Sequence, residues 1–257
     1  MNQSVERDGH SGCTACSDAA PSIDFTMAFQ PVVDVVARRI EAHEALVRGR
    51  AQQSAGTILA QITPENRYSF DQSCRVTAIE LASRLGISQS LHINFLPNAV
   101  YNPAACIRKS LEAAAHTGMS LDRITFEIIE HEDLTELSHL QHIIKEYRKH
   151  GFKVALDDFG TGYSGLHRLA ELEPDIVKLD RALVRECDRH AGRLAIISAM
   201  VELCAKLGIV LISEGIETES EALTLARAGV RFMQGFYFSR PAFEALVPED
   251  AITWPAP

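Results

Sequence analysis

Asp157 and Asp158 stand side by side after the apolar run Val154-Ala155-Leu156, and the glycine-rich stretch Gly160-Thr161-Gly162 follows Phe159. Adjacent carboxylates at the mouth of a buried strand repel unless positive charge lies between them. The usual source is one or two divalent cations that prefer oxygen ligands. Similar residues recur at or just past the ends of other strand-like runs: Glu44, Asn94, Glu127, Lys178, Glu214 and Gln234. With the aspartate pair this makes eight positions, five of them carboxylates, where chance would scatter polar types. Asn adds a neutral oxygen, and Lys adds a proton donor or a fixed charge. No Cys or His is among them, so the set favours magnesium, manganese or calcium over zinc. Any single member reads equally well as a solvated acid at a loop start; the set as a whole does not.

The elements that must position these residues alternate strand with helix from Asp24 onward. Strand-like runs cover Phe25–Val33, Glu41–Val47, Leu91–Phe95, Ile124–Ile129, Phe152–Leu156, Asp175–Leu179, Ile209–Ser213 and Arg231–Phe236. Helical periodicity spans Leu134–His150, closed by Gly151, and about Arg193 to Leu207, closed by Gly208. This alternation predicts an α/β fold, a TIM-type (β/α)8 barrel whose strand ends share one face. The link from Asp34 to Ile40 is too short for a crossover helix, so the first two strands should be antiparallel and the barrel a modified one.

Composition narrows the partners. The chain has 257 residues, 46% hydrophobic and 23% charged, ordinary for a globular domain. A formal net charge of −9 argues against general nucleic-acid binding, which needs a basic face. It leaves room for a small phosphate-bearing ligand if metals supply local positive charge. No apolar stretch approaches the ~20 residues of a membrane span, and no signal-peptide core opens the chain. Nothing in the cysteine spacing resembles a disulfide framework, so a cytoplasmic setting and no membrane partner are expected. Residues 1–22 read as a polar, flexible tail and 23–257 as the functional domain. The tail's Cys13 and Cys16 form a CxxC with only His10 nearby as a third ligand, and structural zinc normally needs four.

The ordered series carries a resemblance. Glu44-Ala45-Leu46-Val47-Arg48 resembles the signature of the EAL family of cyclic-di-GMP phosphodiesterases, and Gln30-Pro31-Val32-Val33 its opening strand. Asn94-Phe95, Glu127-Ile128-Ile129-Glu130, Asp157-Asp158-Phe159-Gly160, Lys178-Leu179-Asp180, Glu214-Gly215-Ile216-Glu217 and Gln234-Gly235 follow in the family's order. The resemblance implies hydrolysis of one phosphodiester bond of cyclic-di-GMP to linear pGpG. Glu44, Asn94, Glu127 and Asp157 would hold a first Mg2+ or Mn2+. Asp157, Asp158 and Glu214 would hold a second, and Ca2+ would bind without supporting turnover. Lys178 would assist the attacking water, and Glu214 would be either a metal ligand or the general base. Gln30, Leu46, Arg48, Asp180, Glu217 and Gln234 would face the substrate, with Arg48 on a phosphate. Glu130 would support the loop from Phe159 to Gly165, the region through which a homodimer is expected. Gly49, Ile129 and Ser213 depart from the common pattern without removing a ligand.

Two other readings compete. Gly160-Thr-Gly162-Tyr-Ser-Gly165 matches a dinucleotide-binding fingerprint, yet the two aspartates would face the pyrophosphate, and Pro174 cuts the following helix short. The stronger rival is a non-enzymatic receptor of the same fold, which would commonly have lost a ligand or the aspartate pair.

Overall fold

The computed structural model describes residues 23–100, 102–129, 137–160 and 165–256. The chain runs β1 (Thr26–Asp34), β2 (Arg39–Arg48), α1 (Ala55–Leu59), α2 (Arg67–Arg84), β3 (Ser90–Asn94), α3 (Pro103–Cys106), α4 (Arg108–Thr117), β4 (Ile124–Ile129), α5 (Leu137–Lys149) and β5 (Lys153–Phe159). It continues through α6 (Gly165–Leu172), β6 (Ile176–Leu179), α7 (Arg181–Val184), α8 (Ala191–Leu207), β7 (Val210–Ser213), α9 (Glu219–Arg227), β8 (Phe232–Met233) and β9 (Ala242–Phe243).

Strands β2 to β8 lie side by side in chain order, and β1 closes the barrel by pairing with both β8 and β2. Both pairings of β1 are antiparallel, whereas β2 through β8 are parallel to one another. The cause is local. Asp34 Oδ1 accepts the backbone N–H groups of Val36 and Ala37, both at 3.0 Å, and folds the chain directly back into β2. Arg231 then donates to Asp34 Oδ2 at 2.7 and 3.0 Å, tying this hairpin to the start of β8. A closed barrel with an antiparallel first strand is the fold expected above, and it rules out the open sheet of the dinucleotide reading.

Apolar side chains pack on both sides of the wall. Val32, Ala42, Ala155, Ile176 and Ile212 form a cluster, with Phe232 against it, and strand alternation places all six on the lumen face. Outside, helix faces cover the sheet; Phe95, Phe126, Tyr147 and Phe152 make an aromatic group with ring centroids 5.1–6.3 Å apart.

Several boundaries differ from those expected. The expected strand Arg231–Phe236 contains only Phe232–Met233 as β8. The chain turns at Gly235, whose carbonyl accepts from Phe238 N at 3.1 Å, and the ladder ends. Strand β5 instead runs on through both aspartates to Phe159. Helix α8 starts at Ala191, two residues early, because the His190 side chain caps it by accepting from Arg193 N. It ends as expected at Gly208, whose φ of 70° is a left-handed cap. No helix among the described residues is long and apolar enough to cross a membrane.

Candidate functional site

At the C-terminal mouth of the barrel, Lys178 of β6 sits at the centre of four carboxylates. Its Nζ lies 3.3 Å from Glu44 Oε2, 2.7 Å from Glu127 Oε1, 3.5 Å from Asp157 Oδ1 and 2.6 Å from Glu214 Oε1. Lys178 and Glu127 are fully buried, and Glu44 and Asp157 nearly so. Parallel register places these groups at one height: Asn94 pairs with Glu127, and Glu214 N bonds Leu179 O beside Lys178.

One ammonium cannot neutralise this set. Burial works against the Lys178 charge, but Asp157, Glu127, Glu214 and Glu44 outweigh it and hold the amine well above its usual range. Burial lifts Glu127 far above the ordinary carboxylate range despite Lys178, and burial with Asp157 lifts Glu214 likewise. Glu44 goes the other way: burial would raise it, but Lys178 and the Gln234 and Asn94 side chains hold it low. Gln234 Nε2 and Asn94 Nδ2 each donate to Glu44 at 2.8 Å. Excess buried negative charge of this kind is the condition for binding cations.

The aspartate pair needs a special backbone to act together. In a regular strand, neighbours point to opposite faces. Here β5 carries a register irregularity between Leu156 and Phe159, and Asp158 adopts a φ of 54°, left-handed and uncommon for a residue with a side chain. The bulge turns Asp158 back toward the mouth. Two groups of ligand atoms result, each within 4.8 Å: Glu44 with Glu127 and Asp157, and Asp157 with Asp158 and Glu214. Asp157 belongs to both. Burial first, then Asp157 and Asp180, push the Asp158 carboxyl up to about 6.

The donor set fits hard cations. Glu127 spends Oε1 on Lys178 and on His92 Nδ1, the latter at 2.9 Å, while Oε2 is buried with no hydrogen-bond partner. Such an orphaned carboxylate oxygen, among all-oxygen donors, is what a magnesium or manganese ion would satisfy.

Cavities flank the carboxylates on two sides. One of about 370 Å³ is walled by Leu46, Leu59, Phe70, Ile93 and Phe95, with Glu44, Asn94, Asp157, Asp158 and Glu214 at its edge. The other, about 190 Å³, is lined by Gln30, Arg181, Glu217, Gln234 and Phe236 and shares Glu44 and Glu214. Gln30 also accepts from Gln234 at 3.3 Å, and Glu217 pairs with Arg181 at 2.8 Å. Asp180 caps α7 by accepting from Ala182 N at 2.7 Å and charges the surroundings of Asp158. Arg48 ends β2 with its guanidinium donating to the Val47 carbonyl at 2.7 Å, within electrostatic reach of Glu44. Glu130, residues 161–164 of the supporting loop, and the Cys13/Cys16 tail with His10 lie outside the described residues.

Two buried residues bordering the site were not among those expected from the sequence. Asp71 of α2 accepts Leu96 N at 2.9 Å, fixing the chain just past Asn94, and is paired with buried Arg75 at 2.7 Å. His92 is the other. Burial, then the Lys178 charge, holds its imidazole down to about 3, so the ring is neutral. Helical spacing from Asp71 to Arg75 was the available hint for the first; only the strand register reveals the second.

The EAL domain family matches residues 15–241. A probable cyclic di-GMP phosphodiesterase of Escherichia coli (strain K12), PdeN, is 30% identical over 245 residues, which cover 90% of this chain and 45% of that protein. The chain spans about half the length of the curated relatives it matches. Among solved structures, a standalone versatile EAL protein from Vibrio cholerae O395 in its c-di-GMP bound form is 44% identical, with a TM-score of 0.86. The match covers 89% of this chain and 96% of that one. Klebsiella pneumoniae BlrP1, as a calcium/cy-diGMP complex at pH 8.0, is 33% identical with a TM-score of 0.85, covering 92% and 61%.

Proposed function

The chain belongs to the EAL-domain family, and from that premise we propose that it hydrolyses one phosphodiester bond of cyclic-di-GMP, releasing linear pGpG. The observation that carries this reading is the carboxylate set itself: two ligand groups share Asp157 around one buried lysine, and every expected ligand is present. A receptor that had stopped cutting would have no need to keep both groups.

In this reading Glu44, Asn94, Glu127 and Asp157 hold one Mg2+ or Mn2+, and Asp157, Asp158 and Glu214 hold the other. Bound there, the cations would acidify a water and offset charge that builds on the phosphate during attack. The chain's own groups do the rest. Lys178, kept protonated by its ring of carboxylates, presents a donor and a fixed positive charge to the attacked phosphate. Glu214, with Oε1 2.6 Å from Lys178 Nζ at the shared mouth, would act either as a ligand of the second cation or as the base that takes the water's proton. The flanking cavities suit an elongated ligand: Leu46 and its apolar neighbours on one side, and Gln30, Glu217 and Gln234 on the other, with Asp180 nearby. Arg48, freed from the Val47 carbonyl, would reach a phosphate. Calcium would support binding without turnover, as its looser coordination fails to enforce attack geometry. We place a homodimer contact, supported by Glu130, in the segment after β5.

The test is chromatographic. Wild-type protein incubated with cyclic-di-GMP and Mn2+ should yield linear pGpG. Glu44→Ala and Asp157→Asn should each lower the rate at least ~100-fold while retaining the fold. Tight binding of intact cyclic-di-GMP by the wild type, with no product, would make the protein a receptor instead.

A further inference from the structure

The lumen of the barrel contains one imidazole that the proposed chemistry does not use. Two residues deeper than each polar tip, on the same face, lie Val32, Ala42, His92, Thr125, Ala155, Ile176, Ile212 and Phe232. Apart from His92 and Thr125 these make up the lumen's apolar cluster. A β-branched aliphatic would fill the position of His92 without burying a polar group. His92 is 2% exposed, and its Nδ1 reaches up to Glu127 Oε1 at 2.9 Å.

That contact decides which oxygen of Glu127 is free. A carboxylate on a long side chain can rotate and exchange its two oxygens. With His92 Nδ1 at 2.9 Å from below and the Lys178 ammonium at 2.7 Å from the side, both against Oε1, the group is held and Oε2 alone stays unpartnered. We propose that His92 is a positioning residue: its Nδ1–H fixes the Glu127 carboxylate so that Oε2 is preset for a divalent cation. The inference rests on the metal-dependent reading above and assigns a task to a residue deeper than any ligand.

The experiment measures Mn2+ binding by electron paramagnetic resonance in the absence of substrate, and turnover separately. His92→Leu should weaken the tighter Mn2+ site 10- to 100-fold, while turnover at saturating Mn2+ stays within about threefold of wild type. His92→Asn, whose amide can donate from nearly the same place, should recover affinity to within about threefold. Thermal unfolding of each variant identifies any that fail to fold, and the Asn variant then carries the comparison. Unchanged Mn2+ affinity in a folded Leu variant would overturn the proposal, and so would an Asn variant as weak as Leu. A wild type that binds Mn2+ but forms no product would defeat the hydrolytic reading and leave this one standing. A wild type that binds no Mn2+ would defeat both.

Discussion

Asp158 shows how one residue can be placed against its own preferences. Its left-handed backbone is unusual for a side-chain-bearing residue, and its carboxyl stands beside Asp157 with a titration point raised to about 6. Strain and like charge collected in one place mark a site built for a ligand rather than for stability. The pH dependence follows from the sign of that shift. A carboxyl whose folded value is raised above its unfolded value destabilises the metal-free fold above that folded value. The penalty fades as pH falls toward the unfolded value near 3.8. Asp158→Asn keeps the shape and tolerates the left-handed backbone. Metal-free Asp158→Asn should therefore melt a few degrees above wild type at pH 8 and lose that advantage at pH 4, as scanning calorimetry would show. An equal gain at both pH values would mean that charge is not the cause.

Elements rather than single residues decide how the site is held in register. The polar tips were legible because a carboxylate, amide or lysine falls in or just after the C-terminal half of each apolar run, and barrel topology sends those ends to one face. The antiparallel first strand was legible too, since the five residues between Asp34 and Ile40 cannot carry a crossover helix. The bulge in β5 was not, because nothing in the residue types of Asp-Asp-Phe announces a left-handed turn within a strand. His92 was hidden for a related reason: depth within the lumen depends on pairing across strands, which one segment does not encode. The shortness of β8 had the same origin. Gly235 passes so close to β7's exit that a Cβ there would meet the backbone O, N and C of Ile216. Gly235→Ala should force the Gln234 segment outward and cost about 1–3 kcal/mol, measurable by urea denaturation. It should also raise KM more than it lowers kcat, because Gln234 would leave the substrate side while Asp157 and Glu214 stay in place.

For the whole molecule, the antiparallel strand closes the barrel, the apolar cluster plugs its lumen, and a surplus of negative charge is stored at one mouth. The net charge of −9 in the chain as a whole matches that organisation, since in the proposed reading a phosphate ligand would be approached through cations and not through a basic surface. Binding a cation only to the folded state must then stabilise the protein, by about 2.7 kcal/mol at a concentration 100 times the dissociation constant. The most direct measurement is the rate of pGpG formation as a function of Mn2+ bound per chain, counted by paramagnetic resonance in the same samples. Negligible product is expected with one ion per chain, and full turnover only at two. Product from metal-free or singly loaded protein, or none at full loading, would contradict two-metal hydrolysis.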